Sequence, residues 1–75
     1  MLTEQITIIA QIKAKPGMEQ RMQQDLLSLL APTQSEAGCI TFDLLVDDQN
    51  PAVAVLYENW ESQAALDAHF QQPYV

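Results

Sequence analysis

The feature that most limits what this chain can become is the order in which its hydrophobic period changes. Residues 5–13 alternate, with Ile6, Ile8, Ala10 and Ile12 on one side and Thr7, Ile9, Gln11 and Lys13 on the other. A period of two predicts a half-buried strand, with Ile9 as the exception. Pro16-Gly17 breaks the alternation, and Met18, Met22, Leu26, Leu29 and Leu30 then recur at helical spacing. Glu19, Gln20, Arg21, Gln23 and Gln24 give that helix its polar surface, while Leu27 widens the apolar stripe. Pro32 is predicted to end or kink the helix near Leu30 or Ala31, because it lacks an N–H and clashes with the preceding turn. Gly38 marks the turn out. Cys39 to Val46 is a second alternating run, setting Ile40, Phe42, Leu44 and Val46 against Cys39, Thr41, Asp43 and Leu45. Asp47-Asp48-Gln49-Asn50-Pro51 reads as a turn, and Ala52 to Asn59, rich in Val and Tyr, as a third strand. So short a connection predicts an antiparallel hairpin. Ser62 is placed to cap a second helix carrying Ala65, Leu66, His69 and Phe70, which Pro73 should end.

The resulting order, β-α-β-β-α, is that of an α+β domain. It falls one strand short of the ferredoxin-like β-α-β-β-α-β pattern. The expectation is a single domain over residues 1–75 whose closing C-terminal element is missing, either through truncation or because a partner supplies it. A chain of 75 residues buries only about 60% of its unfolded surface and has a marginal core. Cys39 and His69 are each the sole residue of their kind, so an intrachain disulfide and a Cys/His zinc site are both out of reach. Oligomerisation is left as the expected reinforcement.

Ten carboxylates face Lys13, Lys15 and Arg21, for a net charge of −7. Nucleic-acid binding needs a basic footprint, and an anionic membrane surface would repel such a chain. No apolar run approaches the roughly 20 residues of a membrane span. The start, Met1-Leu2-Thr3-Glu4-Gln5, lacks a signal peptide's basic region and cleavage pattern. With a free cysteine, these features predict a soluble protein of the reducing cytoplasm.

Three stretches carry a family resemblance. Tyr57-Glu58-Asn59-Trp60-Glu61-Ser62-Gln63-Ala64-Ala65-Leu66-Asp67-Ala68-His69-Phe70 resembles a signature in which a strand ends in Glu-x-Trp and Ser-x-x-Ala-Leu-x-x-His lies on the next helix. Glu36-Ala37-Gly38-Cys39-Ile40-Thr41-Phe42-Asp43 resembles a Glu-x-Gly-Cys-x-x-Tyr/Phe stretch, and Lys15-Pro16-Gly17 a strand-to-helix turn. In this order they resemble the antibiotic biosynthesis monooxygenase family, closest to its small bacterial quinol monooxygenases. The resemblance implies a ferredoxin-like unit whose sheets pair into a dimeric α/β barrel. It also implies, for several members, a monooxygenase that uses no cofactor and oxidises quinols or anthrone-type aromatics. Other members are autoinducer-phosphate isomerases or haem-degrading enzymes. Two departures stand out. The family's Pro-His-Phe or Pro-His-Met reads Pro73-Tyr74-Val75 here, and the C-terminal helix and strand are absent. Haem-degrading relatives carry an Asn on the first strand and a Trp near the position of His69; neither is present, which counts against haem.

Oxygen insertion without a cofactor puts the electronic burden on the substrate, since a deprotonated quinol can pass an electron to dioxygen. The protein must bind an apolar ring, help remove a proton and exclude water, which calls for a titratable group in an aromatic pocket. His69 fits by its ordinary titration range, as base or hydrogen-bond partner of a substrate hydroxyl; the plain alternative is a structural hydrogen bond. Glu58, a carboxylate on an apolar strand, is a second candidate base if buried and only a solvated charge if exposed. Asp43 poses the same question. Trp60 is either a wall that stacks on a flat substrate or a core anchor. Phe42 and Tyr57 could line the sheet under the helices, for substrate or for packing, and Tyr74 could replace the missing histidine as a proton donor. Cys39 has no basic neighbour in sequence to make it a nucleophile. Asp47-Asp48 lacks calcium-loop spacing, and no metal is expected.

Three functions compete: a homodimeric monooxygenase acting on a small aromatic with dioxygen, a non-catalytic dimeric binding module, and an isomerase of a small phosphorylated compound. An enclosed apolar cavity reaching His69 would favour the first, and a packed core there would count against it. The third needs an anion site near Lys13, Lys15 or Arg21. An exposed sheet edge would call for a partner in any of them.

Overall fold

A computed structural model describes residues 4–75; Met1-Leu2-Thr3, part of the start read as lacking a signal peptide, lie outside the described residues. The elements are β1 (Ile6–Lys13), α1 (Glu19–Gln34), β2 (Cys39–Val46), β3 (Val53–Trp60) and α2 (Gln63–Phe70). The strands form one antiparallel sheet in the order β1-β3-β2. This is the β-α-β-β-α part of a ferredoxin-like α+β fold.

Strand β3 is central, and its alternation divides the molecule. Ala54, Leu56, Glu58 and Trp60 face the helices and are buried, while Tyr57 between them is exposed. Leu26 of α1, Phe42 of β2 and Leu66 of α2 complete the core, with Ile6, Ile8, Ala10, Ile12, Met22, Leu29, Leu30 and Leu44 packed around it. Burial of these side chains is the main force holding two short helices to a three-stranded sheet. On the opposite face Ile9, Leu45 and Tyr57 are all exposed, Ile9 by 70%.

Two local expectations are corrected. Helix α1 does not end or kink off at Leu30 or Ala31; it runs to Gln34 with Pro32 inside its last turn. There a missing N–H costs one hydrogen bond, and tertiary contacts outweigh it. Thr33 is fully buried, Gln34 Nε2 donates to the Phe42 carbonyl at 2.9 Å, and Ser35 N closes the turn on Ala31 O at 3.2 Å. In β2 the alternation is interrupted. Cys39 pairs with Trp60 and Thr41 with Asn59, which leaves Ile40 as the extra residue of a β-bulge. Cys39 therefore packs toward the core, and Ile40, expected on the face of Phe42, is exposed.

The remaining turns follow local chemistry. The Ser62 side chain accepts from Ala65 N at 3.2 Å and starts α2. Gly38 has φ +85°, and a Cβ there would sit 2.5 Å from Ala65 Cβ, so only glycine lets this loop pass under α2. That close approach brings the end of α1 and the start of β2 against the helix carrying His69. Among the described residues no helix is long and apolar enough to cross a membrane.

Candidate functional site

His69 lies in the last turn of α2 and is buried, 5% exposed. Its ring packs against Trp60, with centroids 4.7 Å apart, and against Phe42 at 5.8 Å. Both aromatics are buried on the helix-covered face, Trp60 at the end of β3 and Phe42 at the middle of β2. Phe70 adds a tilted contact at 5.5 Å.

Polar contacts at this ring come from the loop after α1. His69 Nδ1 is 2.8 Å from Glu36 Oε2, with both side chains largely buried. The Tyr74 hydroxyl donates to the same Glu36 oxygen and lies 3.3 Å from the Pro32 carbonyl. Burial, followed by the Glu36 carboxylate, pushes the Tyr74 phenol up to about 12. Beside it the fully buried Thr33 hydroxyl makes no hydrogen bond of good geometry among the described residues, yet lies close enough to Tyr74 to offset part of that rise.

Glu58 is buried on the same face, where Trp60 Nε1 donates to its Oε1 at 2.9 Å. It fixes the indole against His69 and approaches the cluster through Trp60. The Cys39 thiol is pushed up by burial and by Glu36 and Glu58, which opposes a nucleophilic thiolate.

The candidates thus separate. His69, Trp60, Phe42 and Tyr74 come together, and Glu58 joins through the indole. Tyr57 does not line the sheet under the helices. It lies on the open face, in register with Ile9 and Asp43, because neighbours in a strand point to opposite sides. Asp43 is likewise exposed. Glu36 is the residue that sequence reasoning did not single out. It stands in the Glu-x-Gly-Cys stretch, but 33 residues separate it from His69, and no spacing rule joins the two.

Around His69 the side chains are packed. A cavity of about 300 Å³ lies elsewhere, at the β1–α1 turn, with Ala14, Met18, Met22 and Leu26 as its apolar part and Lys15, Arg21 and Asp25 at its rim. Arg21 Nε is 3.3 Å from Asp25 Oδ2, so this cation is already paired. Phosphate recognition calls for several convergent donors, and the cavity's chiefly apolar wall is a poor fit. Among the described residues no group of three or more His, Cys, Asp or Glu is placed to hold a metal.

Comparison with known proteins shows the family and the fold. Residues 5–75 match the family described as antibiotic biosynthesis monooxygenase. The chain is 34% identical over 80 residues to the Escherichia coli protein named "Probable quinol monooxygenase YgiN", covering 93% of this chain and 77% of that protein. It is 33% identical over 69 residues to sll1783 of Synechocystis, covering 92% of this chain but 47% of that longer protein, about half its length. Among solved structures, PA3566 from Pseudomonas aeruginosa superposes with a TM-score of 0.91 at 35% identity, over 99% of this chain and 74% of that one.

Proposed function

Because the chain belongs to the antibiotic biosynthesis monooxygenase family, we propose that it is a monooxygenase that uses no cofactor and oxidises a quinol or polyphenol with dioxygen. His69 is its polar centre, and the working form is a cytoplasmic homodimer. The observation that carries this reading is a single imidazole set between Trp60 and Phe42 and anchored at one nitrogen by Glu36. The name of the Escherichia coli relative supports the quinol.

In this reading His69 takes a proton from a quinol hydroxyl and the electron-rich quinolate reduces dioxygen. One oxygen atom bonds to the ring and the other leaves as water. The quinol supplies the electrons and becomes a hydroxyquinone. Trp60 and Phe42 contribute apolar walls, Glu58 holds the indole, and Tyr74 keeps its proton. The exposed face bearing Ile9, Leu45 and Tyr57 is where a second copy would pack.

Oxygen consumption with a panel of reduced quinols, under metal chelation, tests the reading. Uptake by the chain and its loss in His69→Ala are the expected results. A folded His69→Ala variant that retains full activity would dismiss the histidine. A second reading, a non-catalytic dimeric binding module, is favoured by the packing around His69 and by a cavity that lies elsewhere. A folded, dimeric chain inert toward every quinol would support it.

A further inference from the structure

Glu36 reaches two groups with one oxygen atom, and the direction of those hydrogen bonds can be worked out. The Tyr74 hydroxyl faces two acceptors, the Pro32 carbonyl and Glu36 Oε2, with the Thr33 hydroxyl also beside it. A carbonyl only accepts, and a carboxylate does the same, so the phenol's single proton points to one of them, and Glu36 Oε2 is the nearer. Its acidity is suppressed, with a value pushed up to about 12, so it holds this proton throughout the neutral range. Glu36 Oε2 is then an acceptor on its Tyr74 side, and the same atom lies 2.8 Å from His69 Nδ1. Its complement on that side is an N–H. The proton of a neutral His69 therefore belongs on Nδ1, and the lone pair is left on Nε2.

We propose that Glu36 is a positioning residue that holds His69 in its Nδ1–H tautomer, with Nε2 free as the proton acceptor, and that Tyr74 holds Glu36 in place. The proposal rests on the monooxygenase reading for what Nε2 does, but not for which nitrogen carries the proton. A neutral imidazole in water favours the other tautomer, so the Nδ1–H form needs a fixed acceptor such as this. Burial makes the constraint effective. Glu36 and His69 side chains are about 10% and 6% exposed, so little water competes for either. The ring cannot easily turn over, because Trp60 and Phe42 pack against it. The arrangement also explains the contact between two segments distant in sequence. The loop after α1 passes beneath α2 at Gly38, and two residues earlier Glu36 meets the helix's last turn.

Nitrogen NMR of the histidine-labelled chain reads the tautomer directly, at a pH where the ring is neutral. The expected signature is a protonated Nδ1 and a bare Nε2, weakened in Tyr74→Phe, where Glu36 loses its second hydrogen bond, and lost toward the ordinary mixture in Glu36→Ala. A wild-type spectrum with the proton on Nε2 would overturn the proposal, whether or not Glu36→Ala folds. So would an unchanged spectrum in a folded Glu36→Ala. Where quinol-dependent uptake is found, Glu36→Ala should lower kcat by about tenfold or more with little change in KM. If no quinol is oxidised, the monooxygenase reading fails while the tautomer still decides the role of Glu36.

Discussion

The two faces of the sheet are made by the same three strands and do different work. Toward the helices, β3 presents Ala54, Leu56, Glu58 and Trp60, every one buried; the Trp60 indole donates to Glu58, and above them His69 pairs with Glu36. Toward solvent the same strand presents Val53, Val55, Tyr57 and Asn59, flanked by Ile9 and Leu45. A buried face commits its polar groups to specific partners, because an unpaired one is costly, and here the Thr33 hydroxyl is the exception among the described residues. An open face can leave large side chains bare until something covers it. The candidate chemistry sits on the first face and the expected association on the second.

Substitutions should separate the two faces in order of size. Trp60→Ala should destabilise by about 3–5 kcal/mol, the usual range for a fully buried aromatic, and leave this small chain largely unfolded. Leu45→Ala, at 57% exposure on the other face, should change the free energy of urea unfolding by no more than about 0.5 kcal/mol at a dilution where the chain is monomeric. A larger cost for Leu45→Ala that grows with protein concentration would locate the interface there.

The two left-handed glycines give the next contrast. Gly38→Ala meets both the unfavourable φ and the Ala65 side chain, for a loss of about 2–4 kcal/mol. Gly17→Ala has the same sign of φ, +84°, but open space around it, and should lose about 1–2 kcal/mol. Equal losses by thermal or urea unfolding would mean that the loop does not press on α2 as described.

Tyrosine ionisation is the smallest of these effects. Tyr74 starts from an ordinary value of 10.0 and is held up to about 12 in the fold. Between those limits the unfolded chain has released a proton that the native chain keeps. Its contribution to stability is therefore complete below pH 10 and fades as pH climbs toward 12. Absorbance titration should show a late tyrosinate phase that is absent from Tyr74→Phe.

Much of this was legible in the chain. The period of two in β1, the Val and Tyr content of β3, the Ser62 cap and the Gly38 turn are local codes, and each is used as expected. The parity argument was equally available for Tyr57, since a residue between Glu58 and Leu56 must face away from both. What local patterning does not carry is the contest between neighbours. Pro32 stays in α1 because Thr33 and Gln34 are held by the rest of the fold, and Ile40 is displaced by a bulge that shows no marker of its own. Glu36 is the same case at longer range. Its role depends on the α1–β2 loop crossing α2, which is a property of the packed domain.

The proposed activity would split dioxygen between substrate and water on the helix-covered face. Supplying isotopically labelled dioxygen to the chain with a reduced quinol, and weighing the product, tests it most directly. One labelled oxygen atom in a hydroxylated quinone, lost with His69→Ala, is the expected result. A quinone formed without label, or formed equally well by the variant, would contradict it.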